Sequence, residues 1–114
     1  MKDDRLYLEH MLSCIADIET YVGEHGEEVL LKPGLVQDAV LRKLQIMAES
    51  AKLVTDGTKA RMPDVPWRTI VGFRHVLVHQ YLGVDIEKVL GVVKRRLPEL
   101  KQQVTFFCEK YYGK

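Results

Sequence analysis

Apolar residues recur every three or four positions along most of this chain, which is the period of an amphipathic helix. The first such run covers residues 4–23. Its apolar stripe consists of Leu8, Met11, Leu12, Ile15, Ile18 and Val22. Gly23 and Gly26 are expected to end this helix, and the Lys32-Pro33-Gly34 segment closes the connection to the next one.

A second helix is predicted to begin near Gly34 or Leu35. Its apolar stripe consists of Val36, Val40, Leu44, Met47, Ala51 and Val54. The Asp56-Gly57 pair weakens the pattern, and the helix is expected to resume for about one turn to Ala60. The two prolines of the segment 62–66 then predict a connector.

Pro66 suits the first turn of a third helix, where its missing N–H is no loss, and this helix is predicted to reach Gln80. Gly83 is a reasonable stop, and Asp85 is a plausible N-cap for the fourth helix. The apolar stripe of the fourth helix consists of Ile86, Val89, Leu90, Val93, Leu97, Leu100, Val104, Phe107 and Tyr111. Pro98 interrupts the run without shifting its phase, which predicts a kink or two collinear helices.

No segment alternates apolar and polar residues at period two, so the predicted fold is all-α. We expect an antiparallel bundle of four to five helices that occupies residues 1–114 as a single domain. Four amphipathic helices in so short a chain also leave room for an apolar seam that a second copy would cover. A homodimer is therefore the expected assembly.

The composition, with 46% hydrophobic and 29% charged residues, is that of an ordinary soluble domain. The formal net charge of +1 gives no whole-molecule field for nucleic acid, so such contacts would need a local patch. Cys14 and Cys108 lie in apolar helical surroundings, which favours buried reduced thiols over a disulfide. The polar start Met1–Arg5 lacks a signal peptide, and no apolar run approaches the ~20 residues of a membrane span. A cytoplasmic location is expected.

The third predicted helix carries the residues best suited to chemistry. Its apolar stripe consists of Trp67, Ile70, Val71, Arg74, Leu77, Val78 and Tyr81, with a guanidinium in its middle. Arg74 is suited to holding a phosphate, and His79 to acid–base catalysis near neutral pH. The two lie about 140° apart around the helix, so two helices from two copies build a shared site better than one helix does. Each residue also has an ordinary interpretation: a satisfied histidine, and an arginine paired with a carboxylate such as Glu49.

Two other interpretations of the charged residues stay open. His75 and His79 stand four apart on one helical face, as metal-binding pairs do, and Glu49 or Asp85 would be the third ligand. The zinc-protease pattern is absent because no glutamate follows His75. The Lys94-Arg95-Arg96 run is typical of a solvated helix face, with an RNA-binding groove as the alternative.

Five short segments carry a resemblance to a known family. They are Val65-Pro66-Trp67, Gly72-Phe73-Arg74, His79-Gln80-Tyr81, Gly83-Val84-Asp85 and Leu97-Pro98-Glu99-Leu100. Together with the helical layout, they resemble the HepT-like toxins of the HEPN superfamily. The resemblance runs over most of the chain.

The resemblance implies a homodimer whose motif helices face each other, and an endoribonuclease that needs no metal or other cofactor. It implies that His79 activates the ribose 2′-hydroxyl or protonates the leaving oxygen, while Arg74 binds the scissile phosphate. It also implies a partner, a minimal nucleotidyltransferase antitoxin that transfers AMP to Tyr81. ATP and magnesium would serve that partner.

A non-enzymatic role is the alternative that the resemblance leaves open. HEPN-type bundles also act as docking or substrate-binding companions of nucleotidyltransferases. The intact set of Arg74, His79 and Tyr81 favours the enzyme, because a docking module has no need of all three. His75 directly follows Arg74, where a small polar residue is expected, and its role is left open.

Overall fold

The computed structural model describes residues 2–72 and 85–113, without the side chains of residues 2 and 3. These residues are helical and contain no strand, which confirms the all-α prediction. The helices are α1 (Lys2–His25), α2 (Glu27–Leu30), α3 (Leu35–Leu53), α4 (Asp56–Ala60), α5 (residues 67–72, at the limit of the described range), α6 (Ile86–Gly91) and α7 (Leu97–Tyr112). A π-helical turn, Val92–Arg96, joins α6 to α7.

The core forms where α1 packs against α3 and α7. The predicted stripes supply most of it, and the fully buried side chains include Leu8, Ile15, Leu44 and Val104. Tyr111 is the exception in the last stripe, since 47% of its surface stays exposed. The helical period therefore predicted the inward faces of the three long helices correctly.

The first connection differs from the expectation. Gly23 does not end α1; the helix continues to His25 and stops at Gly26, whose φ of 83° suits glycine. The residues after it form the short helix α2, which the apolar pattern of the sequence did not predict. Leu30 of α2 is fully buried, and its carbonyl accepts a hydrogen bond from Gln37 Nε2 at 3.0 Å. Burial of this one side chain explains why so short a helix is held in place.

The π-helical turn before Pro98 explains how the last helical run tolerates a proline. The N–H of Leu97 donates to the carbonyl of Val92, five residues back, instead of the usual four. Pro98 has no N–H for the carbonyl of Lys94, so a regular α-helical ladder cannot continue through it. The interruption predicted at this proline is thus a wider turn just ahead of it, within one helical run.

A buried carboxylate fastens the start of α1 to the turn between α3 and α4. Asp4 is fully buried and accepts the Thr55 N–H at 3.0 Å and the hydroxyls of Thr55 and Thr58, both at 2.6 Å. Burial raises the pKa of Asp4, but these hydrogen bonds lower it further, so the pKa lies below its ordinary value. This Asp4 anchor fixes the chain just ahead of the connector to α5.

Candidate functional site

The residues predicted to carry chemistry fall largely outside the described part of the chain. Arg74, His79 and Tyr81 lie outside the described residues, and so does His75. Glu49, the suggested partner of the arginine, lies half-buried on α3 and accepts a hydrogen bond from Gln45 Nε2 at 3.4 Å. The described structure therefore defines the frame around these positions.

The motif helix is the helix predicted from Pro66 to Gln80, and its described part is α5. Its start is held in place by the contacts of Trp67. The Trp67 indole N–H donates to the carbonyl of Met62 at 3.2 Å, and the Lys59 ammonium lies 5.7 Å from the centre of the indole ring. Ile70 N–H donates to the Pro66 carbonyl at 3.0 Å, which is the first helical bond of α5. Val65 is buried as well, so the connector packs on the core and sets where the motif helix begins.

Helix α6, which follows the motif in the chain, begins at the N-cap that the sequence predicts, Asp85. The Asp85 carboxylate accepts the N–H groups of Glu87 at 3.1 Å and Lys88 at 3.3 Å, as an N-cap residue does. This confirms Asp85 as the cap of α6. Both ends of the segment 73–84 are therefore attached to elements that pack on the core.

A groove with a volume of about 1040 Å³ runs beside the start of the motif helix. Its first wall includes Pro66, Thr69 and Ile70, at the beginning of α5. Its second wall is formed by α6, the π-helical turn and the start of α7. That wall carries the cations Lys88, Arg95 and Arg96. We call this feature the basic groove.

In the described structure, the three cations of the basic groove form no ion pair, unlike several other cations. Three lysines on other surfaces pair with carboxylates of the first two helices: Lys43 with Asp17 at 2.9 Å, Lys101 with Glu19 at 3.0 Å and Lys94 with Glu27 at 3.3 Å. Within the described ranges, Lys88, Arg95 and Arg96 form no such ion pair. Two carboxylates, Asp64 and Glu99, also line the groove, and neither is bonded to these cations.

The Lys94-Arg95-Arg96 run is exposed, as expected of a solvated face. The structure nevertheless divides it, because Lys94 turns to α2 while the two arginines line the groove. Lys88 was not predicted from the sequence, since a lone lysine on a helix carries no signal until its neighbours in space are known. For Arg95 and Arg96, the run of three basic residues was the sequence signal that pointed to a nucleic-acid-binding surface.

The alternative metal site at His75 and His79 lies outside the described residues. Residues 2–72 and 85–113 contain no group of three His, Cys, Asp or Glu side chains that could hold a metal ion. Cys14 and Cys108 are free and buried, as predicted, and burial raises the pKa of both thiols, which disfavours the nucleophilic thiolate. No helix within these ranges has the length and apolar character needed to cross a membrane.

Comparison with known proteins gives a consistent result. A family model described as "Ribonuclease HepT-like" matches residues 11–106. A protein of Caldanaerobacter subterraneus subsp. tengcongensis named "Putative RNase" is 34% identical over 96% of this chain and 98% of its own length. The "Probable ribonuclease HepT" of Thermococcus cleftensis is 36% identical over 83% of this chain and 86% of its own length.

A further relative is longer. The "Gamma-glutamylcyclotransferase and putative RNase" of Methanocaldococcus jannaschii is 31% identical over 96% of this chain, which spans 49% of that protein's length. No solved structure matches the chain significantly.

Proposed function

The chain belongs to the Ribonuclease HepT-like family, and from this premise we propose that it is a metal-independent endoribonuclease, the toxin of a type VII toxin–antitoxin system. The observation that carries the proposal is the family match itself. Its range, residues 11–106, includes Arg74, His79 and Tyr81, the three positions to which the resemblance assigns the motif. The names of the relatives as ribonucleases support the same activity.

In the proposed reaction the RNA supplies its own nucleophile. His79 takes the proton of a ribose 2′-hydroxyl, or returns a proton to the leaving oxygen, as a general base or acid. The 2′-oxygen then bonds to the adjacent phosphorus while the bond from phosphorus to the 5′-oxygen breaks. The 5′-oxygen takes up a proton as it leaves, so the products are a 2′,3′-cyclic phosphate and a 5′-hydroxyl. Arg74 stabilises the negative charge that develops on the phosphate oxygens.

The same proposal includes a homodimer. His79 and Arg74 are about 140° apart around a helix, so a single copy presents them in different directions. Two motif helices that face each other across a twofold axis would supply both groups to one cleft. Residues 1–114 would then form one domain of each protomer.

Control by a partner completes the proposal. A minimal nucleotidyltransferase antitoxin would transfer AMP to the hydroxyl of Tyr81, the position that the resemblance implies is modified. The added phosphate brings negative charge close to Arg74 and competes with the phosphate of RNA for it. The modified chain would therefore be inactive without any change of fold.

The test compares Arg74→Ala and His79→Ala with Arg68→Ala, in which an exposed arginine of α5 is replaced. Purified chains are incubated with RNA in EDTA, and the new ends are identified by mass spectrometry. We expect the unmodified chain to leave cyclic phosphate ends and Arg68→Ala to keep this activity. Loss of an acid–base group or of a phosphate-stabilising group costs about 10²–10⁴-fold in rate.

On expression, the starting chain and Arg68→Ala should inhibit growth, whereas Arg74→Ala and His79→Ala should not. If Arg74→Ala and His79→Ala cut RNA as fast as the starting chain, the assignment of the site is wrong. If the unmodified chain does not cut RNA at all, the docking companion of a nucleotidyltransferase becomes the better description.

A further inference from the structure

We propose that the basic groove binds the sugar-phosphate backbone of single-stranded RNA beside the cutting site, with Lys88, Arg95 and Arg96 as the phosphate-binding residues. The proposal rests on the proposed function and extends it, since it locates the path of the substrate outside the catalytic motif. None of the three cations belongs to the catalytic set of Arg74 and His79.

The position of the basic groove is the first argument. Thr69 and Ile70 of α5 form part of one wall, and these residues begin the helix that is predicted to carry the motif. The period that predicts this helix puts Arg74 in the stripe of Ile70, one turn further along. A strand of RNA lying in the groove would therefore pass beside α5, which directly precedes the segment with the predicted catalytic residues.

The charges of the groove are the second argument. An arginine that is exposed and has no carboxylate partner keeps its planar fork of donors available for a phosphate. Arg95 and Arg96 are both exposed, and in the described structure neither they nor Lys88 form an ion pair. Lys43 and Lys101 are paired with carboxylates. The exposed Arg42 and Lys52 of α3 form no ion pair with a described residue, but they do not line the groove. Positively charged grooves that follow a flexible backbone are typical of proteins that bind single strands.

The polar side chains of the groove fit this ligand better than a protein partner. Thr69, Gln102 and Gln103 line the groove and offer hydrogen bonds to phosphate and ribose oxygens. Lysine is instead depleted at the centres of protein–protein interfaces, and a guanidinium buried there without a partner is costly. Three cations that form no ion pair with a described residue, in a groove with Asp64 and Glu99 as its carboxylates, are therefore better explained by a polyanion.

The test measures binding of a short single-stranded RNA of mixed sequence by fluorescence anisotropy over a range of salt concentrations. The His79→Ala chain serves as the background, so that the RNA stays intact. Arg95→Gln/Arg96→Gln is compared with Arg42→Gln/Lys52→Gln, which removes two exposed cations of α3 that do not line the groove. Glutamine keeps the helix propensity of the replaced residues, so equal thermal unfolding is expected.

Loss of two phosphate contacts on a single strand should make the slope of log K for binding against log salt concentration less steep by about 1.4. At ~0.1 M salt, this change corresponds to a loss of about 25-fold in affinity. The α3 control should bind like the parent. Glu99→Gln, which removes a carboxylate from the groove, should bind more tightly. In the otherwise unmodified chain, the double arginine variant should raise KM for RNA and leave kcat unchanged.

Equal binding by the two double variants would overturn the proposal. The same holds if Arg95→Gln/Arg96→Gln leaves RNA binding intact but changes the sedimentation coefficient, because the groove would then be an interface between copies. A failure of the proposed nuclease function would give a different result from a failure of the groove proposal. In that case the unmodified chain does not cut RNA, yet binding still depends on Arg95 and Arg96.

Discussion

The Asp4 anchor gives the sharpest quantitative prediction, which concerns Asp4→Asn. This change keeps the shape of the side chain and removes its charge. The carboxamide oxygen still accepts the Thr55 N–H, and the new amide N–H₂ donates to the hydroxyls of Thr55 and Thr58, which turn to accept. The variant thus isolates the contribution of the charge to the three hydrogen bonds.

The expected loss follows from the three contacts, at 3.0, 2.6 and 2.6 Å. A hydrogen bond to a charged group contributes about 1 kcal/mol more than a neutral one, so neutralisation removes about 3 kcal/mol. Relief from burying a charge offsets about 1 kcal/mol of this. The free energy of unfolding at neutral pH should therefore fall by about 2 kcal/mol. For a domain of this size, that corresponds to a drop in Tm of about 8 °C.

The pH dependence provides the signature of the charge. The folded pKa of Asp4 lies below its ordinary value of 3.8, so the unfolded chain takes up the proton first as the pH falls. The stabilisation is then complete above 3.8 and is lost as the pH falls through the folded pKa. Urea unfolding followed by circular dichroism, at one protein concentration, should show a difference between Asp4→Asn and the parent at neutral pH. That difference should shrink at about pH 3.

Glu9→Gln is the matched control. Glu9 lies on the same helix, and its ion pair with Arg5 is 3.0 Å long, with 48% and 42% of the two side chains exposed. Its loss should cost less than ~0.5 kcal/mol, since exposed ion pairs contribute little. The reasoning about Asp4 is refuted if Asp4→Asn is as stable as Glu9→Gln at neutral pH. A difference from the parent that is equally large at both pH values would refute it too.

Two further predictions concern the start of the motif helix and the modification of Tyr81 by the proposed antitoxin. Trp67→Phe keeps an aromatic ring but loses the indole N–H bond to the Met62 carbonyl, so thermal unfolding should show a loss of about 1 kcal/mol, or ~4 °C in Tm. An unchanged Tm would show that this bond does not hold the start of α5. Co-expression with a nucleotidyltransferase antitoxin should add one or more AMP units to the intact mass, and Tyr81→Phe should abolish the addition. A gain in mass that survives this substitution would assign the modification to another residue.

The periodic helices were predictable from the sequence because their burial is local. Leu44 and Ala51 repeat at the helical period, and both are buried. The Asp85 cap was predictable for the same reason, since its bonds reach only two and three residues ahead. Local periodicity and capping therefore predicted the frame of the bundle.

Features that depend on distant partners were not predictable. Asp4 looks like an exposed acidic residue in the sequence, and its partners lie 51 and 54 residues away. The basic groove requires the start of α5 to lie beside Lys88 and Arg95, which no spacing in the sequence reveals. Gly23 has open space around it and remains within the helix, so the sequence rule for glycine failed there. The catalytic assignments stay predictions that rest on the family's motif.

The wider turn at Val92–Arg96 has a consequence for how sequences of this kind can vary. One extra residue in a regular helix rotates everything downstream by about 100° around the axis. A π-helical turn takes up such a residue within itself, so the inward row of α7 from Leu97 onward keeps its alignment with the core. A residue can therefore be gained or lost at this point, and the outward cations can be exchanged, without repacking the interior.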